Sequence, residues 1–513
     1  MKKTMLLAML LVANFVIAQK EDASAKHAAI ITAAALKEKL TILASDEMEG
    51  RETATPGQKK AAAYIEAQFK KMGLKPGNGE SYQQIYPVYK DSLIAKQLMV
   101  NGQQFAWDMD FAFSLEGLAF GTLKYNNIVF AGYGIVDTSV KRNDYAGYDI
   151  KGKLVVVVDG MPEGYTPPAG AGRRFISPAS SRGKIAAARK LGAAAVLLVT
   201  NEFPRSKSTN TVGEMYLKAN ANAFFSATIS AKVASALIGR TNTLSFAQIK
   251  QVEKGNYISE VVLQSAKTTL QLESSNVIAL LPGTEKKDEY VFITSHYDHL
   301  GKIGNVIYYG ADDDGSGTTG IMQMAEAFAA AAKKGDRPKR NIVFMAVSGE
   351  EKGLWGSDYY SEHPIYPLDK TSVDLNTDMI GRVDTERKTA DSLNYIYVIG
   401  HDKLSSELPI INEAVNNQYT KLVLDYKYDD PNDRNQIYYR SDHYNFAKKG
   451  VPILFFYDGM LQADYHRPTD TVEKINFELM EKRTKLIFHT AWIMANQENM
   501  LKRDTPLNMP SSK

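Results

Sequence analysis

Cysteine is absent from the 513-residue chain. Disulfide bonds, thiolate metal ligands, cysteine nucleophiles and lipid attachment at a lipobox cysteine are therefore excluded. Any bound metal must be held by His, Asp and Glu. The net charge is only +3, which argues against a protein held to nucleic acid by a basic face. No run of Lys and Arg is long enough to predict a polybasic membrane anchor.

Long apolar runs are also scarce. An apolar stretch over residues 5–16 follows Lys2 and Lys3 and precedes the small residue Ala18. It is too short to span a bilayer comfortably, and this pattern predicts an export signal over residues 1–18. A buried N-terminal helix is the alternative. No later stretch is apolar enough to span a membrane, so we expect an exported protein, either periplasmic or extracellular.

The spacing of apolar residues changes along the chain. Apolar residues recur at helical spacing over residues 31–73, with a turn-rich break at 50–57. Residues 92–263 have short apolar runs separated by Gly and Pro, which predicts a β-rich region. From about residue 276, predicted strands alternate with helices. This alternation predicts an α/β domain, with its site at the carboxyl ends of the strands. The strands are expected at 277–281, 290–294, 342–347 and 451–456, and the helices include 318–333 and 477–496.

A histidine-rich segment, Ser295 to His299, follows the predicted strand 290–294. Residues two apart project to the same side of an extended chain. His296 can therefore bind a metal through one ring nitrogen while Asp298 accepts a hydrogen bond from the other. A chance exposed pair is the alternative.

Acidic residues are concentrated in two further segments. Three adjacent aspartates, 312–314, repel one another unless a cation lies among them. A solvated turn or a calcium loop is the alternative, although the ligand spacing of a calcium loop is absent. Glu350 and Glu351 directly follow the predicted strand 342–347. Consecutive residues of an extended chain point in opposite directions, so one glutamate can bind metal while the other serves as general base. An acidic pair at a helix start is the alternative.

Two isolated residues complete the set. Asp378 ends an apolar segment, where an aspartate usually caps a helix or turn. His466 lies in the loop after the predicted strand 451–456, where a lone histidine usually has no function. Each of the five segments follows or abuts a predicted strand end. Two histidines and three carboxylates suit a pair of zinc ions that share one carboxylate.

Taken together, the five segments resemble one family of proteins. S-H-Y-D-H, G-A-D-D-D-G-S-G, S-G-E-E, N-T-D-M-I-G and Y-H-R-P-T-D-T are similar to the motifs of the zinc aminopeptidases (family twenty-eight metallopeptidases), which include bacterial leucine aminopeptidases and, more distantly, glutamate carboxypeptidase. The resemblance covers residues 276–496 and reaches G-R-E-T-A-T-P-G near the N-terminus. It implies a mixed β-sheet flanked by helices, of the zinc exopeptidase or phosphorylase/hydrolase-like kind.

The strand-rich middle of the chain resembles a protease-associated domain inserted into the peptidase domain. The implied organisation is a signal peptide at 1–18, the N-terminal part of the peptidase domain at 19–95, the inserted domain at 96–265, the zinc peptidase domain at 266–500 and a C-terminal tail at 501–513.

The resemblance further implies two Zn²⁺ ions per chain. One zinc would be held by His296 and Asp378, and the other by Glu351 and His466. Asp313, the middle aspartate of its three, would bridge the two ions.

Roles beyond metal binding also follow from the resemblance. Glu350 would be the general base, and Asp298 would orient His296. Tyr465 would stabilise the transition state. His299 would support the site without binding metal.

The expected function is that of a secreted aminopeptidase that removes N-terminal residues from peptides. A carboxypeptidase or dipeptidase of the same fold is one alternative, and a non-catalytic binding protein on this scaffold is another. A carboxypeptidase needs a cation for the free carboxylate of its substrate, usually arginine, whereas an aminopeptidase usually binds the free ammonium with a carboxylate. The candidates are Arg382, Arg434, Arg440 and Arg467 for the first purpose, and Asp429, Asp430 and Asp433 for the second.

Overall fold

The computed structural model describes residues 22–115, 117–169, 175–218, 223–389 and 391–509. The predicted export signal at 1–18 lies outside these residues. The chain forms two compact units, one made of residues 1–85 and 275–513 and the other of residues 86–274. Across the described ranges, no helix is both long and apolar enough to cross a bilayer.

The first unit is built on a mixed sheet whose central strands are parallel. Strand Lys286–His296 lies between Arg340–Val347 and Thr371–Thr377 and is parallel to both. These strands form because they are nearly continuous apolar runs, and such runs are buried on both faces of a sheet. The order across the sheet is Val423–Asp425, Tyr395–Ile399, Ile453–Tyr457, Thr371–Thr377, Lys286–His296, Arg340–Val347 and the part of Gly255–Leu281 that follows Ser274.

Helices cover both faces of this sheet. Val291 and Ile293 belong to one apolar cluster, and Phe292, which points the other way, belongs to a second. The first cluster includes Phe328 and Phe488 from two long helices. The predicted fold class, a mixed sheet flanked by helices, is therefore confirmed. The helices are Ala23–Ala28, Ala33–Leu43, Pro56–Met72, Gly317–Lys333, Trp355–Glu362, Glu407–Tyr419, His443–Ala447 and Phe477–Asn496.

Short elements connect these helices and strands. The 3-10 turns are Asp46–Arg51, Leu368–Lys370, Lys427–Asp429, Ile437–Tyr439 and Val472–Lys474, the short strands are Lys75–Pro76, Lys302–Ile303 and Val306–Ile307, and a wide turn spans Ala311–Ser316.

The second unit has its own apolar core. Strands Gly121–Phe130, Leu154–Val158, Ala195–Val199 and Phe225–Ile229 are parallel neighbours. Helix Ser181–Lys190 provides the crossover that joining two parallel strands requires. The assignment of residues 96–265 to a protease-associated domain stays a prediction. The remaining elements are Gln83–Val100, Gln103–Phe105, Phe111–Ala112, Val136–Asp137, Arg142–Asn143 and Val212–Tyr216 as strands, Ala231–Leu237 and Phe246–Ile249 as helices, and a 3-10 turn at Thr138–Val140.

Candidate active site

The strand order of the first unit brings three of the predicted segments together. His296 ends its strand opposite Val347, and Thr294 of the same strand lies opposite Asn376. The glutamate pair follows Val347 and Asp378 follows Thr377, so all three segments emerge at the same edge of the sheet. This is the edge at which α/β sheets gather their ligands.

The turn Ala311–Ser316 directs only one of its three aspartates towards the imidazole rings of the site, whereas Asp314 accepts from the backbone N–H of His296 at 3.2 Å. The carboxylate of Asp312 accepts from the backbone N–H of Gly381 at 2.9 Å, and that of Asp314 accepts from Gly317 at 2.8 Å. Asp313 instead faces His296, with 3.3 Å between Oδ1 and Nε2. The turn begins at Gly310, where φ is +55° and a Cβ would lie 2.3 Å from the Asp313 carbonyl oxygen. Only glycine fits there.

All five predicted metal ligands lie in one cluster. The Nε2 atom of His296 is 3.5 Å from Oδ1 of Asp378, on the same side as its contact with Asp313. The Nε2 atom of His466 lies 3.0 Å from Oε2 of Glu351 and 3.2 Å from Oδ2 of Asp313. The two oxygens of Asp313 thus face two separate groups of ligand atoms.

The cluster fits bound cations because its buried polar atoms face only one another. His296 Nε2, Asp313 Oδ2 and Glu351 Oε1 lie 3.3, 3.2 and 2.7 Å from other ring and carboxylate atoms of the site, and they have no hydrogen-bond partner elsewhere in the described part of the chain. Each such atom costs about 1–3 kcal/mol if nothing satisfies it. Two groups of three residues each offer candidate ligand atoms that lie within 4.8 Å of one another inside the group: His296, Glu350 and Asp378 form one group, and His299, Asp313 and Glu351 form the other. Imidazole and carboxylate are the donors that zinc takes in sites without thiolates.

The electrostatics of the cluster also favour cations. Burial alone would lower the pKa of His466, but hydrogen bonds with Asp313 and Glu351 raise it to about 10. Burial would likewise lower the pKa of His296, and Asp378 and Glu350 raise it well above its usual range. A site that stabilises positive charge this strongly on imidazole carries excess negative potential.

Asp298 supports Glu350 rather than only His296. Its Oδ1 accepts from the Glu350 backbone N–H at 3.2 Å, and its Oδ2 accepts from the Thr53 hydroxyl at 2.6 Å. The nearest acceptor of His296 Nδ1 is the backbone carbonyl of Asp298 at 3.1 Å, whereas the Asp298 carboxylate is 3.8 Å away. The expected contact between the ring and the carboxylate therefore differs from the observed one, because the strand ends at His296 and its alternation does not continue to Asp298.

Glu350 faces the cluster without joining it closely. Its Oε2 is 3.9 Å from His296 Nε2. Burial raises its pKa well above the usual range, and the neighbouring carboxylates of Glu351 and Asp378 add to this shift. A carboxyl group with a raised pKa can both accept and return a proton near neutral pH.

Tyr465 and Arg440 line the same cavity as Asp313, Glu350 and Asp378. The Tyr465 hydroxyl accepts from Nη2 of Arg440 at 2.8 Å, and its ring stacks on His466 with 3.9 Å between centroids. Among the four arginines considered from sequence, Arg440 is the one that lines this cavity. The remaining walls are mostly apolar and come from Met379, Ile437, Phe455, Tyr457 and Leu461.

A further group of ligand atoms, from His401, Asp402 and Asp429, already holds a cation of the chain itself. The ammonium of Lys403 lies 2.6 Å from Asp402 and 3.3 Å from Asp429. Asp429 is therefore occupied and does not reach the cavity as an acceptor for a substrate ammonium.

Two supporting residues were not identified as such from the sequence. Thr53 and Arg51 lie in the turn-rich break, and nothing in their local pattern indicates a partner far along the chain. His299 was expected to support the site, and its Nδ1 lies 2.7 Å from Oε1 of Glu351.

Comparison with known proteins finds that the chain is similar to peptidases. The model of peptidase family M28 matches residues 276–491. The chain is 28% identical over 227 residues to a probable leucine aminopeptidase of Trichophyton verrucosum. The aligned region covers 43% of this chain and 57% of that protein. It is 32% identical over 166 residues to a probable zinc metalloprotease of Pyrenophora tritici-repentis, covering 30% of this chain and 32% of that one. The chain thus spans between a third and somewhat over half of the length of these relatives.

A solved structure shares the fold over nearly the whole chain. The aminopeptidase from Aneurinibacillus sp. strain AM-1 aligns with a TM-score of 0.52 at 20% identity, over 96% of this chain and 100% of that one. The ligand cluster, the family match and the shared fold agree, and residues 276–491 of this chain are therefore a domain of peptidase family M28.

Proposed function

We propose that the protein is an exported di-zinc aminopeptidase that hydrolyses the N-terminal residue from peptides. The observation that carries this proposal is the cluster of His296, Asp313, Glu351, Asp378 and His466, in which ring and carboxylate atoms face one another and several buried ones have no hydrogen-bond partner elsewhere among the described residues. The names of the relatives support both the metal and the reaction. Export rests on the pattern of residues 1–18, and the two candidate compartments are the periplasm and the exterior.

The two carboxylate oxygens of Asp313 divide the proposed ligands into two sets. His296 and Asp378 would hold one zinc, Glu351 and His466 the other, and Asp313 would bridge them. His299 contacts the second oxygen of Glu351 and would fix that carboxylate. Zinc in such a site supplies Lewis acidity, which polarises the scissile carbonyl and acidifies the attacking water.

The protein's own groups then handle the protons and the developing charge. Glu350 takes the proton from the attacking water and returns it to the leaving amine. Asp298 keeps Glu350 in place through the hydrogen bond from the Glu350 backbone N–H. The Tyr465 hydroxyl, next to the guanidinium of Arg440, would donate to the oxyanion of the transition state.

The apolar walls of the cavity favour an apolar side chain on the residue that is removed. Met379, Phe455 and Leu461 line the cavity beside Glu350 and Asp378. A peptide that begins with leucine or methionine therefore matches these walls.

Arg440 supports a second candidate, a dipeptidase. Its hydrogen bond goes to the Tyr465 hydroxyl rather than to a carboxylate, and its side chain lines the cavity. A guanidinium placed in this way could bind the free carboxylate of a two-residue substrate. The two candidates differ in whether the enzyme requires that carboxylate.

One experiment tests the metal centre and separates the two reactions. The purified mature chain should contain two zinc ions, lose activity on chelation and regain it with zinc. It should then be assayed on leucine p-nitroanilide, Leu-Gly, Leu-Gly-amide and N-acetyl-Leu-Gly. Hydrolysis of the first three supports an aminopeptidase, and hydrolysis of Leu-Gly alone supports a dipeptidase. Activity confined to the N-acetylated substrate, or full activity without metal, would refute the proposal.

A further inference from the structure

The turn at residues 50–53, here called the opening segment, packs against the loop that links His296 to Asp313. The backbone N–H of Gly301 donates to the Gly50 carbonyl at 2.9 Å, and that of His299 donates to the Arg51 carbonyl at 3.3 Å. A Cβ on Gly50 would lie 2.4 Å from the carbonyl oxygens of Gly301 and Tyr308. The segment therefore contacts the backbone on both sides of the loop between His296 and Asp313.

Arg51 is fully buried, and its hydrogen bonds go to backbone carbonyl oxygens. Nε donates to Tyr297 at 2.7 Å, and Nη2 donates to Gly310 at 2.9 Å. Nη1 donates to Tyr309 at 2.7 Å and to Leu43 at 3.0 Å. One planar group thus joins the residue that follows His296 to the residue that begins the Asp313 turn.

This arrangement suits arginine and not lysine. A guanidinium presents its donors in a rigid fork, whereas an ammonium is a compact point charge on a flexible stem. The charge matters as well as the shape. Burial lowers the pKa of Arg51, and the carboxylates of Asp298 and Asp470 oppose that shift. A fixed cation at this position reduces the repulsion among the carboxylates that the site collects.

Thr53 provides the second contact of the segment. It is buried, and its hydroxyl donates to Oδ2 of Asp298 at 2.6 Å. The other oxygen of Asp298 accepts from the Glu350 backbone N–H. The Thr53 hydroxyl therefore fixes the Asp298 carboxylate, and that carboxylate in turn fixes the backbone of the proposed general base, Glu350.

We infer that the opening segment positions the active site. Arg51 fixes the separation of the His296 and Asp313 backbones, and Thr53 fixes the Asp298 carboxylate against the Glu350 backbone N–H. This inference rests on the proposed di-zinc function. Arg51 and Thr53 are positioning residues: they act on zinc affinity and on the placement of the base and do not touch the substrate.

Arg51→Lys tests the first contact, with Arg340→Lys as its matched control. Arg340 is also fully buried and donates to the carbonyls of Met494 and Glu498, each at 3.2 Å, away from the ligand cluster. Residues that orient metal ligands typically change metal affinity by about 10- to 100-fold. R51K should weaken zinc binding by at least about 10-fold in competition with a chromophoric chelator, and it should alter the absorption spectrum of the cobalt-substituted protein. R340K should lower the thermal midpoint without either change.

Thr53→Val tests the second contact without requiring a large rearrangement. T53V should retain two zinc ions and the wild-type KM while kcat falls by about 10- to 100-fold, because small displacements of a reacting group cost rates of this order. Thr53→Ser should restore most of kcat. Thr490→Val, at a buried threonine that bonds to Asn412 at 3.1 Å, should leave kcat unchanged.

The outcomes separate this inference from the proposed function. If the wild type binds no zinc, the proposed function fails. If the wild type binds two zinc ions and R51K binds them equally well, or if T53V has the wild-type kcat, the inference is overturned. Should R51K fail to fold, the comparison of T53V with T53S and T490V decides the matter alone.

Discussion

Replacing Glu350 by glutamine should abolish turnover while leaving the metal in place. The two adjacent glutamates have different surroundings. Glu351 contacts His466 at 3.0 Å and His299 at 2.7 Å, whereas the nearest histidine nitrogen to Glu350 is 3.9 Å away. Glutamine has the same shape as glutamate and preserves the backbone hydrogen bond to Asp298. The change should therefore remove a proton acceptor and little else.

The size of the effect follows from the proposed role of Glu350 as general base. Loss of a positioned general base costs about 10²- to 10⁴-fold in rate, which corresponds to about 2.7–5.4 kcal/mol in activation free energy at about 1.36 kcal/mol per decade. The assay is kcat on leucine p-nitroanilide together with zinc content by mass spectrometry. Glu351→Gln should instead lose zinc. Glu478→Gln, at an exposed residue of the last helix, controls for the loss of one negative charge.

Two results would refute this reasoning. An E350Q enzyme with nearly normal kcat would mean that another group takes the proton. An E350Q enzyme that has lost its zinc would mean that Glu350 is a ligand, and the two glutamates would exchange roles.

Three further predictions follow from other contacts. His466→Ala should retain about one zinc per chain, because Asp378 and His296 lie on the other side of Asp313; retention of two ions by mass spectrometry would remove His466 from the ligand set. Arg440→Met should raise KM for Leu-Gly by about 10- to 100-fold relative to Leu-Gly-amide, since a hydrogen bond to a charged group is worth about 1.5–3 kcal/mol; an equal effect on both substrates would exclude a carboxylate-binding role. Burial lowers the pKa of His489 to about 4. As the pH falls below about 6.5, the unfolded state therefore takes up a proton before the folded state does. The free energy of unfolding should drop by about 2 kcal/mol between pH 7 and 4.5 for this reason. Urea denaturation of His489→Gln should lack that part of the decrease, and identical pH slopes would contradict it.

Much of the peptidase unit could be predicted from apolar patterning. The expected helix at 318–333 is Gly317–Lys333, and the expected helix at 477–496 has those bounds. The expected strand at 451–456 is Ile453–Tyr457. Continuous apolar runs of this kind specify buried parallel strands, and polar residues at their carboxyl ends are then brought together by the sheet itself. The ligand cluster was predictable for this reason.

Side-chain directions beyond the strand ends were less predictable. The alternation of side chains along an extended strand predicts the directions of Asp298 and of the glutamate pair, yet the chain has left the sheet at both places. Strand Arg340–Val347 ends before Ser348, and the backbone of Glu350 accepts from Gly353 in a turn. The different surroundings of the two glutamates therefore arise from turn geometry. Likewise, local pattern could not decide which of three adjacent aspartates faces the histidines.

The contact between Arg51 and Gly310 joins residues 259 positions apart in the chain, and this separation has a consequence for biosynthesis. During translation the N-terminal helices emerge well before the backbone carbonyls that their buried arginine requires. Until then that cation can bond only to the Leu43 carbonyl and to water, and residues 86–274 are synthesised in the interval. Long-range contacts of this kind form late in folding, and domains commonly fold as units while synthesis proceeds. The proposed peptidase activity should consequently appear only after the ribosome has passed His466, the last of the proposed metal ligands.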